Sequence, residues 1–360
     1  MNSQRFPLID VLRGFAALLV VFYHVIAHRP WPSFPMEGLA KLPRMGWIGV
    51  DLFFVISGFV IAHAALSGYA QGGNWRQDFM LRRLRRIAPL YLATIVLFVL
   101  LVSPSFLQHG WATVMHVLTH LGFVHNLWAE YHGSLNAPNW SVGLEMQFYL
   151  LMVLVTPWIA RNSPLKIYLL WASIALGWRY ASTLVLPPGT ASPIVQFIYS
   201  SQLPGTLDEF ASGIVLAKLL RNGRLNFSWR KFGACALVAV LLLTLAWRKI
   251  PPETVYWQKP ATIVFARTLL CAGFAALVAC TILWPFRPGW ISRPFRYLGE
   301  ISYGIYLWHF PVLLTLLERT PYQGSRLLLA TVGGSVTLAA LSWHGFEKPW
   351  IQRASTRAKA

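Results

Sequence analysis

Arg13 and His24 are the first residues along the chain that could do chemistry. Both fall inside an apolar run near the N-terminus, 11 residues apart, which on a helix is about 16 Å along the axis. Ionisable groups inside such runs are costly to bury in lipid, so each is a candidate for function. Asp51 and Glu145 enter later apolar runs at a depth similar to that of His24. An imidazole beside a carboxylate can act as general base on a hydroxyl, with the carboxylate fixing the tautomer and steadying the imidazolium. Arg82, Arg83, Arg85 and Arg86 crowd the start of another apolar run. Guanidinium groups bind phosphate in bidentate fashion. Arginines at one membrane face and a base toward the other suggest transfer of a group carried by a phosphorylated donor. Coenzyme A fits, with its phosphates at one end and a thioester at the tip of a long arm.

Plainer roles exist for each of these residues. Arg83 and Arg86 could anchor a helix by snorkelling. Arg13 could pair with Asp10 one turn earlier, and His24 could be a satisfied polar group between helices. Asp51 could cap a helix N-terminus, as could Glu145 with Ser141 four residues before it. His116 and His120 have i, i+4 spacing, and His125 and His132 follow. Val117 stands where a metalloprotease would carry Glu, so interfacial packing is the better reading and no metal is expected. Ser57-Gly58 lacks the context of a nucleophile elbow and instead suits a close helix approach. Trp140, Tyr303 and His309 are candidate acceptor contacts. Asp208 and Glu209 either touch an acceptor or simply open a helix.

The elements that must position these groups follow from composition. The chain has 360 residues, 56% hydrophobic and 12% charged, against about 25% charged in a typical soluble protein. Apolar runs of about 20 residues span a bilayer. Candidates lie near 8–28, 46–66, 87–103, 142–160, 165–185, 206–220, 232–249, 263–284, 298–317 and 327–346. The expected fold is therefore an all-α, polytopic bundle of about ten transmembrane helices. The net charge of +19 does not imply nucleic acid, because the basic residues lie between apolar runs. With both termini cytoplasmic, 20 of the 31 Lys and Arg fall on the inside, from Arg5 to Lys359, while 104–139 has none. No small-residue cleavage site follows Met1–Pro7, so the first run reads as an uncleaved helix. Cys235, Cys271 and Cys280 are odd in number and lie in or beside apolar segments, so no disulfide framework is expected. No linker or internal repeat divides the chain, which reads as one domain over 1–360.

Several segments resemble a known family, the integral-membrane acyltransferase family 3, which includes bacterial O-acetyltransferases of surface polysaccharides. They are Ile9-Asp10-Val11-Leu12-Arg13-Gly14-Phe15-Ala16-Ala17 with Val20-Val21-Phe22-Tyr23-His24; Gly49-Val50-Asp51-Leu52-Phe53-Phe54-Val55-Ile56-Ser57-Gly58-Phe59; Phe79 to Tyr91 around the arginines; Asn139-Trp140-Ser141-Val142-Gly143-Leu144-Glu145; Ile301 to Pro311 around Tyr303 and His309; and Glu347-Lys348-Pro349. The resemblance runs from Arg5 to about Pro349 and departs at Val11, where a small residue is usual. It implies a ten-helix bundle that moves an acyl group, usually acetyl from acetyl-CoA, to a sugar hydroxyl. It implies functional importance for Arg13 and His24 and for an Arg-x-x-Arg pair placed on Arg83 and Arg86, with Arg82 and Arg85 offering the same spacing. Relatives with an extra C-terminal esterase-like domain differ from this chain, which looks like a stand-alone version.

These readings combine into an acetyl-CoA-dependent O-acyltransferase of the bacterial inner membrane. It has no bound cofactor, uses acetyl-CoA or another acyl-CoA as co-substrate, and takes a glycan or lipid-linked saccharide as acceptor. His24, Glu145 and Asp51 would be catalytic, with Arg13, Arg83, Arg86 and Arg82 on the donor. A transporter of a glycan or anion is the rival; it calls for inverted repeats, and the sequence shows none.

Overall fold

A computed structural model describes residues 6–29, 31–35, 37–108, 110–190, 192–251 and 253–357. Arg5 and Lys359, included in the charge count above, lie outside the described residues, as do the side chains of Arg353 and Arg357. Among the described residues the chain is helical, with no β-strand. Eleven helices matter here: α1 (Pro7–His28), α2 (Ile48–Gln71), α3 (Trp75–Leu97), α4 (Trp111–Leu121), α5 (Trp140–Arg161), α6 (Pro164–Val185), α7 (Leu207–Arg221), α8 (Trp229–Lys249), α9 (Pro260–Leu283), α10 (Ser302–Arg319) and α11 (Gly324–Ser342). Every expected span overlaps one of them. Seven are long and apolar enough to cross a membrane: α1, α2, α3, α5, α8, α9 and α11. The protein is a multi-pass membrane protein. Such helices satisfy their backbone groups internally and offer lipid an apolar face, here through exposed Leu154, Val185, Leu241 and Leu329.

The helix carrying the arginines begins at Trp75, twelve residues before the expected span. Its first three turns are polar, so hydropathy misses them although the backbone is already helical.

The chain forms two compact units. The first comprises Met1–Asp10, Asp51–Phe79 and Gln147–Arg293. Here α8 packs on α9, α6 on α7, and α9 on both α6 and α7. Helices α2 and α7 meet backbone to backbone. A Cβ on Gly58 would lie 2.2 Å from the Phe210 carbonyl, and one on Gly213 would lie 2.1 Å from that of Val55. This is the small-residue contact expected of Ser57-Gly58. Phe148 stacks on Phe210 at 3.9 Å beside the same contact. Lys218 donates to the carbonyls of Ile159 (2.7 Å) and Ala160 (2.9 Å), capping the end of α5.

The second unit comprises Val11–Val50, Met80–Met146 and Pro294–Ala360. Helix α10 packs on α11, where Gly304 faces Ala339. Val25, Leu313, Leu327 and Leu328 form a buried cluster. Arg29, just past α1, donates to the carbonyls of Leu317 (3.1 Å) and Tyr322 (2.7 Å), closing the C-terminal end of α10.

Helix-internal prolines have a common solution in both units. Proline removes the hydrogen bond to the carbonyl four residues earlier. In α10, Pro311 leaves the carbonyl of Leu307, and Asn136 Nδ2 donates to it at 2.9 Å. In α5, Pro157 leaves Val153, and Arg76 Nε donates there at 3.3 Å. The Asn136 backbone has φ 66°, a left-handed conformation that Asn tolerates better than most residues.

Candidate functional site

His24 lies in the last turns of α1, half-buried, and its Nδ1 is 3.0 Å from the carbonyl of Val20 and 3.2 Å from Nε2 of His309. The two rings are 5.0 Å apart. Phe310 lies edge-on to His24 at 5.4 Å and to His28 at 5.2 Å. His309 is fully buried on α10, and its Nδ1 donates to the carbonyl of Tyr306 at 2.6 Å. Tyr306 in turn donates its hydroxyl to the carbonyl of Pro138 (2.9 Å), with Ser141 Oγ at 2.8 Å. The turn holding His309 is the one whose free carbonyl Asn136 occupies. The loop before α5 and the first turn of α5 thus hold the turn carrying His309 at three points: Asn136, Pro138 and Ser141.

The remaining expected residues of this unit are spread along its helices. Glu145 lies half-buried one turn after Ser141, which donates to Pro138 at 3.2 Å rather than capping the helix. Trp140 stacks on His132 at 5.7 Å. Tyr303 donates its hydroxyl to the carbonyl of Ile87 at 2.8 Å, so it ties α10 to the residue following Arg86. Arg83 and Arg86 are half-buried on α3, whereas Arg82 is exposed; Arg13 is half-buried in the second turn of α1.

His116, His120, His125 and His132 form a packed group. His120 stacks on His125 at 3.9 Å. His120 Nδ1 donates to His116 O (2.8 Å) and His125 Nε2 to Asn139 O (3.0 Å). Helix α4 has 11 residues, too few to cross a bilayer. Burial, with His125 nearby, lowers the His120 pKa to about 3. Burial likewise lowers His125 to about 4, and His132 to about 3 with His120 as a second cause.

Asp51 belongs to the first unit, in the first turn of α2. There it joins a buried ionic network that the sequence reading caught only in part. Arg179 Nη2 meets Asp208 Oδ2 at 2.6 Å, and Thr268 Oγ1 donates to the same oxygen at 2.6 Å. Arg267 Nε lies 3.6 Å from Asp51 Oδ1, and its Nη1 lies 4.0 Å from Glu209 Oε1 and donates to Ser201 Oγ at 2.9 Å. The rings of Phe197 and Trp257 are 5.8 and 5.9 Å from the Arg267 guanidinium. Asp208 and Glu209 therefore do more than open α7. Arg179 and Arg267 were not singled out from sequence, although each is a lone cation inside an apolar run, the signal that marked Arg13. Asp51, Glu209 and Cys271 bring their ligand atoms within 4.8 Å of one another, the metal-sized group found among the described residues. Arg267 already supplies positive charge to its two carboxylates.

Residues 6–344 match a family model described as Acyltransferase domain. The peptidoglycan O-acetyltransferase OatA of Listeria monocytogenes is 28% identical over 97% of this chain and 56% of its own length. The acyltransferase MdmB of Streptomyces mycarofaciens is 30% identical over 86% of this chain and 79% of its own. The chain thus spans little more than half the length of the peptidoglycan relatives it matches. No solved structure matches.

Proposed function

The chain belongs to the acyltransferase family that its residues 6–344 match, and from this we propose that it is a membrane O-acyltransferase moving acetyl from acetyl-CoA to a glycan hydroxyl. The observation that carries the reading is His24, a half-buried imidazole in an apolar helix with one ring nitrogen held by Val20 and His309. The other nitrogen is the base. It takes the proton of the acceptor hydroxyl as the oxygen attacks the thioester carbonyl. The new C–O bond forms, the C–S bond breaks, and the thiolate receives the proton. An acyl-His24 intermediate uses the same nitrogen.

Glu145 shares a unit with His24, and we keep it in the catalytic group. Asp51 faces Arg267 in the ionic network, and its role is to hold that network in register. Arg13, Arg83 and Arg86 bind the donor phosphates, with exposed Arg82 at the rim. Trp140 and Tyr303 line the path of the acceptor. The positive-inside bias puts the arginines in the cytoplasm and His24 toward the outer face of the bacterial inner membrane, with ten helices crossing and both termini inside. The glycan class is taken from the peptidoglycan named for the Listeria relative.

The test is direct. Membranes are incubated with labelled acetyl-CoA and peptidoglycan fragments, comparing wild type with His24→Ala. Loss of a general base should lower incorporation about 10²-fold or more. Equal incorporation by the variant would remove His24 from the mechanism.

A further inference from the structure

Resting on the reading of His24 as the base, we propose that His309 is its positioning residue: it accepts the Nδ1 proton of His24 and thereby makes Nε2 the reacting atom.

The proton positions follow from the partners, since hydrogens are assigned from the network. The carbonyl of Tyr306 can only accept, and it lies 2.6 Å from His309 Nδ1. That nitrogen therefore carries the proton, and Nε2 of neutral His309 is an acceptor. The carbonyl of Val20 can also only accept, and it lies 3.0 Å from His24 Nδ1. His24 Nδ1 is thus protonated, and at 3.2 Å it donates to His309 Nε2 as well. Both neighbours demand the same tautomer. What remains is His24 Nε2, a bare lone pair.

Val20 alone would hold this tautomer weakly, because its carbonyl already accepts the backbone N–H of His24 within α1. His309 brings an unshared lone pair from another helix. It also fixes the ring plane, since its own ring is held at Nδ1 and flanked by Phe310. When His24 becomes positive, by protonation or acylation at Nε2, the Nδ1–H···Nε2 bond becomes charge-assisted and strengthens. This is the part a carboxylate plays in a hydrolase triad. A carboxylate at a fully buried position would carry a desolvation cost of several kcal/mol; a neutral imidazole accepts the same bond without burying a charge. The position of His309 is itself over-determined, because Asn136 satisfies the Leu307 carbonyl that Pro311 frees two residues away.

The experiment compares wild type, His309→Leu and His309→Gln in purified protein reconstituted into lipid. Two readouts are taken. The first is kcat and KM for acetyl-CoA. The second is the tautomer of His24 by ¹⁵N solid-state NMR, assigned by the signals lost in His24→Ala. His309→Leu should lower kcat about 10²-fold with KM little changed, and should turn the single Nδ1–H form into a mixture. His309→Gln, whose Oε1 can accept the same proton, should recover most of kcat and the single tautomer. An unchanged kcat or an unchanged tautomer in His309→Leu overturns the assignment. So does failure of His309→Gln to recover either one. Full activity of His24→Ala would instead defeat the base assignment, while the tautomer result would still stand on its own.

Discussion

Arg179 and Asp208 show how much one side chain decides in a low-dielectric interior. Both are fully buried and 2.6 Å apart. Removing one partner of such a pair costs about 3–5 kcal/mol, because the other charge is left unpaired, whereas replacing both by apolar groups is often neutral. Arg179→Met should therefore lower the unfolding midpoint of the detergent-solubilised protein sharply, and adding Asp208→Leu should restore much of it. Two single variants whose losses simply add in the double variant would show that the pair is not coupled. At this scale the sequence was legible where one residue carries the signal alone. Arg13, His24, Asp51 and Glu145 stood out as charges in apolar runs. Pairings were not legible. Nothing near Arg179 in sequence announces Asp208, and nothing near His24 announces His309, because hydrophobic patterning reports the environment of a residue and not the identity of its neighbour.

Between helices, the tightest constraint is the contact of α2 with α7. A Cβ on Gly213 would sit 2.1 Å from the Val55 carbonyl and 2.3 Å from the Phe59 nitrogen. Both are backbone atoms, so the helices would have to part, at or above the upper end of the ~1–3 kcal/mol usual for overpacking. Gly213→Leu should destabilise the protein strongly. Gly177→Leu, where nothing lies within 4 Å of the added atom, should change little. Thermal unfolding in one detergent separates them, and equal midpoints would refute the account. All ten apolar runs proved helical, but α6, α7 and α10 are not among the seven that qualify as spans by length and composition. In α6 and α7 the buried Arg179, Asp208 and Glu209 dilute the apolar signal, and α7 has only 15 residues. The π-turns Phe98–Val102 and Trp343–Glu347 are register details that no hydropathy pattern encodes.

Across the molecule, the histidine group of 104–139 sets an acid limit. In the folded protein His120, His125 and His132 take up protons only near pH 3 to 4, against 6.5 for an ordinary imidazole. Between those values the unfolded chain binds more protons, so stability falls as pH falls. The contribution is whole above pH 6.5 and is lost progressively toward pH 4. Unfolding midpoints measured from pH 7.5 to 4.5 should drop below about pH 6.5. A variant with His120→Asn and His132→Gln should show a shallower decline; an identical slope would assign the acid sensitivity elsewhere.

The contact between His24 and His309 joins residues 285 positions apart. At ribosomal speeds of about 5–20 residues per second, the first imidazole waits roughly 15 to 60 seconds for the second to be made. A chain halted before α10 would carry the arginines and His24 without the partner imidazole. The site so read is complete only once α10 has been made.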